Sequence, residues 1–241
     1  MAVVRPFRGL RAVPARVDPG ALCADRSGSG TGGGDDDALL ARDPRNVVGL
    51  LMSKGNEQRA RFLISEQVRA GVIARDLLPA LYVLKVQASE GVRTGFFAVV
   101  RADSLEVKDD ADAARTERLR GSGVAIEPVV VSYVDKKGRV ARSLESETER
   151  EPDAAFELGG RPCELWAVDD DSAAARVTAL VEGQSLTVTA GGSALSSQRA
   201  LVNNDDAAGF ALAFFVDEES PVELVPIGVV LHALQGSLSG A

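Results

Sequence analysis

Hydrophobic and polar positions alternate with several distinct periods along the chain. Residues 56–70 (NEQRARFLISEQVRA) set Phe62, Leu63 and Val68 among charges and stop at Gly71, which predicts an amphipathic helix with a glycine C-cap. Residues 81–86 and 94–101 are rich in Tyr, Val and Phe and are separated by Ser89, Glu90 and Gly91, the pattern of an antiparallel strand pair. Residues 109–120 are acidic at the start and basic near the end, as the dipole of a polar helix favours. Residues 126–134 and 139–142 flank the turn letters Asp135, Lys136, Lys137 and Gly138, which predicts a second hairpin. The charged stretch 145–153, with Pro152, reads as a solvated connection. Residues 163–168, 172–181 and 184–189 form a strand, helix, strand unit, the helix opening after Asp169, Asp170 and Asp171.

The continuous apolar runs 207–216 and 222–231 surround turn residues 217–221 and predict a hairpin buried on both faces. Such strands either lie centrally in a sheet or leave an apolar face, around Val229, that a protein partner or a second copy of the chain would cover. Pro6, Pro14 and Pro19 punctuate an irregular segment over residues 1–43, and residues 27–37 (SGSGTGGGDDD) read as a mobile glycine-rich loop. Gly28, Gly30 and Gly33 spell GxGxxG there, but no strand precedes them, and three aspartates that would repel a phosphate follow. The prediction is therefore an irregular segment 1–43 followed by one domain, 44–241. Hairpins mixed with helical crossovers give an α/β (mixed α+β) fold: a mixed sheet with packed helices around a single main core.

Composition narrows the function classes. Of 241 residues, 27 are Lys or Arg and 35 Asp or Glu, a net charge of -8 that disfavours nucleic acid and anionic membrane as partners. No apolar run approaches the ~20 residues of a membrane span, so a cytoplasmic protein is expected. Cys23 and Cys163, the only cysteines, have no CxxC spacing and read as reduced thiols. The single histidine, His232, lies in an apolar strand region and reads as a core or edge residue, so no serine triad can be assembled. Asp109, Asp110 and Asp112, like Asp169, Asp170 and Asp171, read as first-turn acids of helices rather than as a magnesium site. Trp166 reads as core. Gly191, Gly192 and Ser193 follow a strand and open a helix, where glycines let the backbone approach a ligand and N–H groups can face an anion; an ordinary strand-to-helix turn uses the same letters.

Residues 5–11 (RPFRGLR), 79–83 (PALYV), Thr94-Gly95, Leu165-Trp166 and Val168, in this order and spacing, resemble the SerK-like proteins catalogued as domain of unknown function 1015. The likeness runs from Arg5 to Leu231. It implies kinship with the ParB and sulfiredoxin-like fold and, in active relatives, phosphorylation of free L-serine. Four family hallmarks are altered here. An early Ala-Pro-Pro-Tyr-Asp loop corresponds to residues 22–26 (LCADR), and His-Glu-His-Thr falls near Lys108, where the chain reads KDDAD. Ala-Asp-Gly-His-His-Arg-Tyr aligns with residues 190–196 (AGGSALS), and Pro-Thr-His-Arg aligns with residues 226–229 (PIGV). The resemblance also implies a C-terminally shortened member. Losing His-His-Arg removes the positive charge that phosphoryl transfer requires. The expectation is a pseudoenzyme without cofactor or metal, serving as a binding, scaffold or regulatory module with a protein partner or as a homo-oligomer. Gly191, Gly192 and Ser193 are its candidate ligand-binding residues. The alternative is a small-molecule phosphotransferase that uses Ser193, the nearby N–H groups and magnesium held near Asp110.

Overall fold

In a computed structural model, residues 2–26, 33–52, 57–201, 209–219, 221–222 and 224–234 are described. The chain opens with β1 (Val4–Arg5), β2 (Gly9–Ala12), α1 (Pro19–Leu22) and β3 (Ala24–Asp25), then α2 (Gly33–Arg42), α3 (Val48–Leu51) and α4 (Glu57–Arg69). Next come β4 (Ile73–Arg75), the hairpin β5 (Leu81–Ala88) and β6 (Gly91–Arg101), a 3-10 turn at Ala102–Ser104, α5 (Ala113–Ser122), β7 (Val124–Ala125) and β8 (Val129–Tyr133). The second half holds α6 (Arg139–Glu147), β9 (Ala154–Leu158), β10 (Arg161–Val168), α7 (Asp171–Glu182), β11 (Thr187–Ala190), α8 (Gly192–Arg199), β12 (Phe210–Asp217), β13 (Pro226–Ile227) and β14 (Leu231–Ala233).

A mixed sheet in the order β11-β8-β12-β6-β5-β10-β9 forms the frame, with β1 added beside β6. Only the β8–β12 pair in it is parallel. The stretches 81–84 of β5, 96–100 of β6 and 210–216 of β12 are apolar at every position because both faces are covered. Leu81, Val83, Phe96, Ala98, Ala213 and Phe215 pack under α6 and α7, through Val140, Leu144, Val177 and Val181. The alternate residues Tyr82, Leu84, Phe97, Leu212 and Phe214 point the other way, onto Phe7, Leu119, Val222, Leu224, Val229 and Val230. A smaller sheet, β4-β2-β14-β7, and the pair β13-β3 close a third apolar cluster with α3 and α4. The fold is mixed α/β, as the pattern predicts. Among the described residues no helix is long and apolar enough to cross a membrane.

Three expectations are corrected. Residues 139–147 form helix α6, not the second arm of a hairpin: the Asp135 carboxylate accepts the N–H groups of Arg139, Val140 and Ala141 at 2.9, 2.7 and 3.0 Å, and Val140 and Leu144 make the buried i, i+4 stripe. The run 222–231 does not pair with β12. Pro221 and Pro226 lack the N–H a ladder needs, Gly228 turns the chain at φ 77°, and the apolar residues between them cover the sheet face. Val222, Val229 and Val230 are thereby buried by the chain itself, so among the described residues of this run the apolar face expected around Val229 is covered. The N-terminal segment is not irregular: β1 pairs with β6, β2 with β4 and β14, and β3 with β13. Of the glycine-rich stretch 27–37, residues 27–32 lie outside the described residues and the remainder opens α2.

Candidate functional site

The four segments that align with the family hallmarks meet in space as two neighbouring pairs. Residues 22–26 and 226–229 pair as β3 and β13, with Pro226 opposite Asp25 and Ile227 opposite Ala24. Residues 108–112 lie along the start of α8: Ser196 Oγ donates to the Asp109 carbonyl at 2.6 Å, and Ser197 Oγ accepts the Asp112 N–H at 3.1 Å. The Gly228 N–H, donating to the Ile126 carbonyl at 3.2 Å, joins the first pair to the second beside Glu127.

Gly191 and Gly192 are required by this geometry. Gly191 caps α8 at φ 74°, a conformation costly for other residues, and a Cβ there would press on the Pro128 carbonyl. Gly192 is buried, and a Cβ on it would overlap Oδ2 of Asp109 and crowd Val107. What approaches the backbone at the helix N-terminus is therefore the chain's own carboxylate. The favourable field of α8 already meets a negative charge.

Ser193 turns to the opposite side. Its Oγ accepts from Arg115 Nη1, while the same guanidinium makes a two-pronged contact with Glu127 at 2.9 Å on each arm. Arg118 approaches the other side of the pair, 3.6 Å from Glu127 Oε2. Asp112 caps α5, and the Arg115 N–H holds its carboxyl below the usual carboxylate range. Two guanidinium groups thus face Glu127, with Asp112 close by. The cavity between Arg115, Arg118, Glu127, Ala194 and Gln198 has a volume of about 10 Å³, room for one water. The side-chain carbonyl of Gln198 is buried there without a partner. Beyond Gly192 and Asp109 a wider groove of about 1190 Å³ runs between residues 103–109 and 185–190. Arg199 reaches its rim but donates to the carbonyls of Ala102 and Leu105.

This ordered meeting of four separated segments goes with a match to proteins of unknown function (DUF1015) over residues 4–239. The chain belongs to the DUF1015 family. No curated protein and no solved structure matches it. In this DUF1015 chain the sequence points to Gly191, Gly192 and Ser193, and the structure sets Arg115, Arg118 and Glu127 beside Ser193. Their signal is faint: two arginines three apart on a polar helix, and a lone glutamate before Pro128.

Other singled-out residues lie elsewhere. His232, on β14, sets its ring edge-to-face with Phe7, 5.3 Å between centroids. Its Nε2 is sealed without a partner, and burial lowers its pKa to about 4, with Arg75 adding to the shift. Trp166 is 2% exposed and donates to the Arg150 carbonyl. Cys23 and Cys163 are free and buried, and burial pushes the Cys163 thiol up to about 12. Asp170 caps α7 through the Ala173 N–H.

Proposed function

We propose that this chain is a noncatalytic DUF1015 protein that acts as a binding, scaffold or regulatory module on a SerK-like framework. The observation that carries the reading is the self-occupied site. Phosphoryl transfer relies on positioned positive charge around the phosphate oxygens. Here Arg115 is held in a two-pronged pair by Glu127, Arg118 lies 3.6 Å from the same carboxylate, the start of α8 is covered by Asp109, and the cavity beside the two arginines has room for one water. An anionic group brought to Arg115 would have to displace the Glu127 carboxylate that holds it through both oxygens.

The reading predicts no phosphoserine when the protein is incubated with L-serine and pyrophosphate, ADP or ATP plus magnesium. Product above the protein-free control that disappears in Ser193→Ala would defeat it. The phosphotransferase alternative is favoured by one feature, the convergence of Arg115 and Arg118 on Ser193 and Glu127. In that alternative magnesium would be held near Asp110, between Asp112, which caps α5 through one carboxylate oxygen, and Asp109, which lies against Gly192. The buried, protonated thiols fit a cytoplasmic setting, which belongs to the same proposal.

A further inference from the structure

Helices α5 and α8 are tied together by polar contacts that step along α5 one turn at a time. At its start the Asp112 N–H donates to Ser197 Oγ at 3.1 Å, and the same hydroxyl donates to the Asp112 carbonyl at 3.2 Å. One turn on, Arg115 donates to Ser193 Oγ. Arg118 continues this face of the helix after the same interval. It lines a cavity together with Gln198 of α8, and no direct bond joins the two side chains.

Both side chains are short of partners. Arg118 is 13% exposed, yet its guanidinium reaches only the Leu51 carbonyl at 3.5 Å and Glu127 Oε2 at 3.6 Å, longer than the roughly 2.7–3.2 Å of a good N–H···O bond. Gln198 is 3% exposed and its Oε1 has no partner. A buried polar atom left dry is costly, and Leu119, Val124, Ile126 and Ala194, which complete the wall, supply no side-chain donor or acceptor. A guanidinium can only donate and an amide oxygen can only accept, so a ligand that satisfies both must accept and donate.

Size and charge narrow the ligand further. A volume of about 10 Å³ admits a single heavy atom. The positive charges of Arg115 and Arg118 are opposed by Glu127 and by Asp112, whose carboxyl accepts the Arg115 N–H and lies in the field of both guanidinium groups. A further ion sealed among these groups would add a buried charge with no counterpart. The ligand is therefore neutral.

We propose that this cavity is a binding site for one structural water, which accepts from Arg118 and donates to Gln198 Oε1 and so makes the third tie between α5 and α8. Its role is positional: it holds the second arginine of the site at the junction of the two helices. The inference is independent of the noncatalytic reading, since it follows from hydrogen-bonding capacity, volume and charge.

A crystal structure of the full chain at about 1.5 Å resolution tests it, with one density peak expected about 2.6–3.2 Å from both Gln198 Oε1 and an Arg118 nitrogen. A cavity without density beside well-ordered Arg118 and Gln198 side chains would overturn the proposal. So would an anomalous peak there after a bromide soak, which would make the ligand an anion. In solution, Gln198→Met keeps the length of the side chain and removes the acceptor. In a dry cavity this deletes an unpaired oxygen and raises the urea midpoint; in a hydrated one it removes the water's bonds, and the midpoint should fall by about 0.3–0.5 M with an unchanged circular dichroism spectrum. Oxygen-17 magnetic relaxation dispersion should show one long-lived water fewer in Gln198→Met than in the unaltered chain. A midpoint that rises or stays put, or an equal number of long-lived waters, would overturn the proposal.

Discussion

Gly192 distinguishes a ligand cradle from a filled one at the level of a single methyl group. In a cradle, the space above the glycine belongs to a ligand, and Gly192→Ala would leave stability nearly unchanged. Here the space is held by Asp109 and Val107, so the substitution forces them to move and should cost about 1–3 kcal/mol in urea denaturation. An unchanged midpoint would show that the space above Gly192 is open to a methyl group. His232 makes a second residue-scale prediction. Its pKa falls from an ordinary 6.5 to about 4 in the fold, so between those values the unfolded chain binds a proton that the folded chain refuses. Stability should be complete above that window and decline as pH falls through it. His232→Phe keeps a ring against Phe7 and should remove this part of the slope; an identical pH profile in the variant would refute the assignment.

At the scale of elements, α6 depends on one side chain that precedes it. Asp135 is 6% exposed and accepts three N–H groups from the first turn, where Gly138 supplies no capping side chain. Asp135→Ala should destabilise by about 1–2 kcal/mol, read by thermal or chemical unfolding, and Asp135→Asn by less. A loss confined to a few tenths would mean that the helix is held by Val140 and Leu144 alone.

The elements whose own letters are decisive were legible in the sequence. The apolar runs and short glutamate-glycine turn of β5 and β6 leave one solution, and Gly71 and the aspartates before α7 mark helix ends directly. α6 was missed because Lys136, Lys137 and Gly138 are equally good turn residues for a hairpin, and the deciding stripe is only two residues, Val140 and Leu144. The run 222–231 was misread for a different reason. Burial on both sides makes a sequence apolar whether the backbone pairs in a sheet or lies across one, and only Pro226 and Gly228 favour the second. Near the start of α8, Gly191 is legible because its left-handed conformation is local, whereas the constraint on Gly192 comes from the distant Asp109 and Val107. Arg115, Arg118 and Glu127 are not legible, since their meaning lies in a contact between helix α5 and the segment before β8.

For the whole molecule, the sheet and both its covering layers remain intact around a site closed by its own charges. Arg115 is held by both oxygens of Glu127, Arg118 lies beside the same carboxylate, and α8 begins beneath Asp109. In the noncatalytic reading proposed above, a framework of this kind keeps its shape without a free phosphate clamp. Calorimetric titration of the full chain with pyrophosphate and magnesium tests that claim most directly, because it reads occupancy of the site without requiring turnover. The account predicts no saturable heat up to about 1 mM ligand, the range where binding energy falls to roughly 4 kcal/mol. Saturable binding below that concentration, abolished by Arg115→Ala, would contradict it.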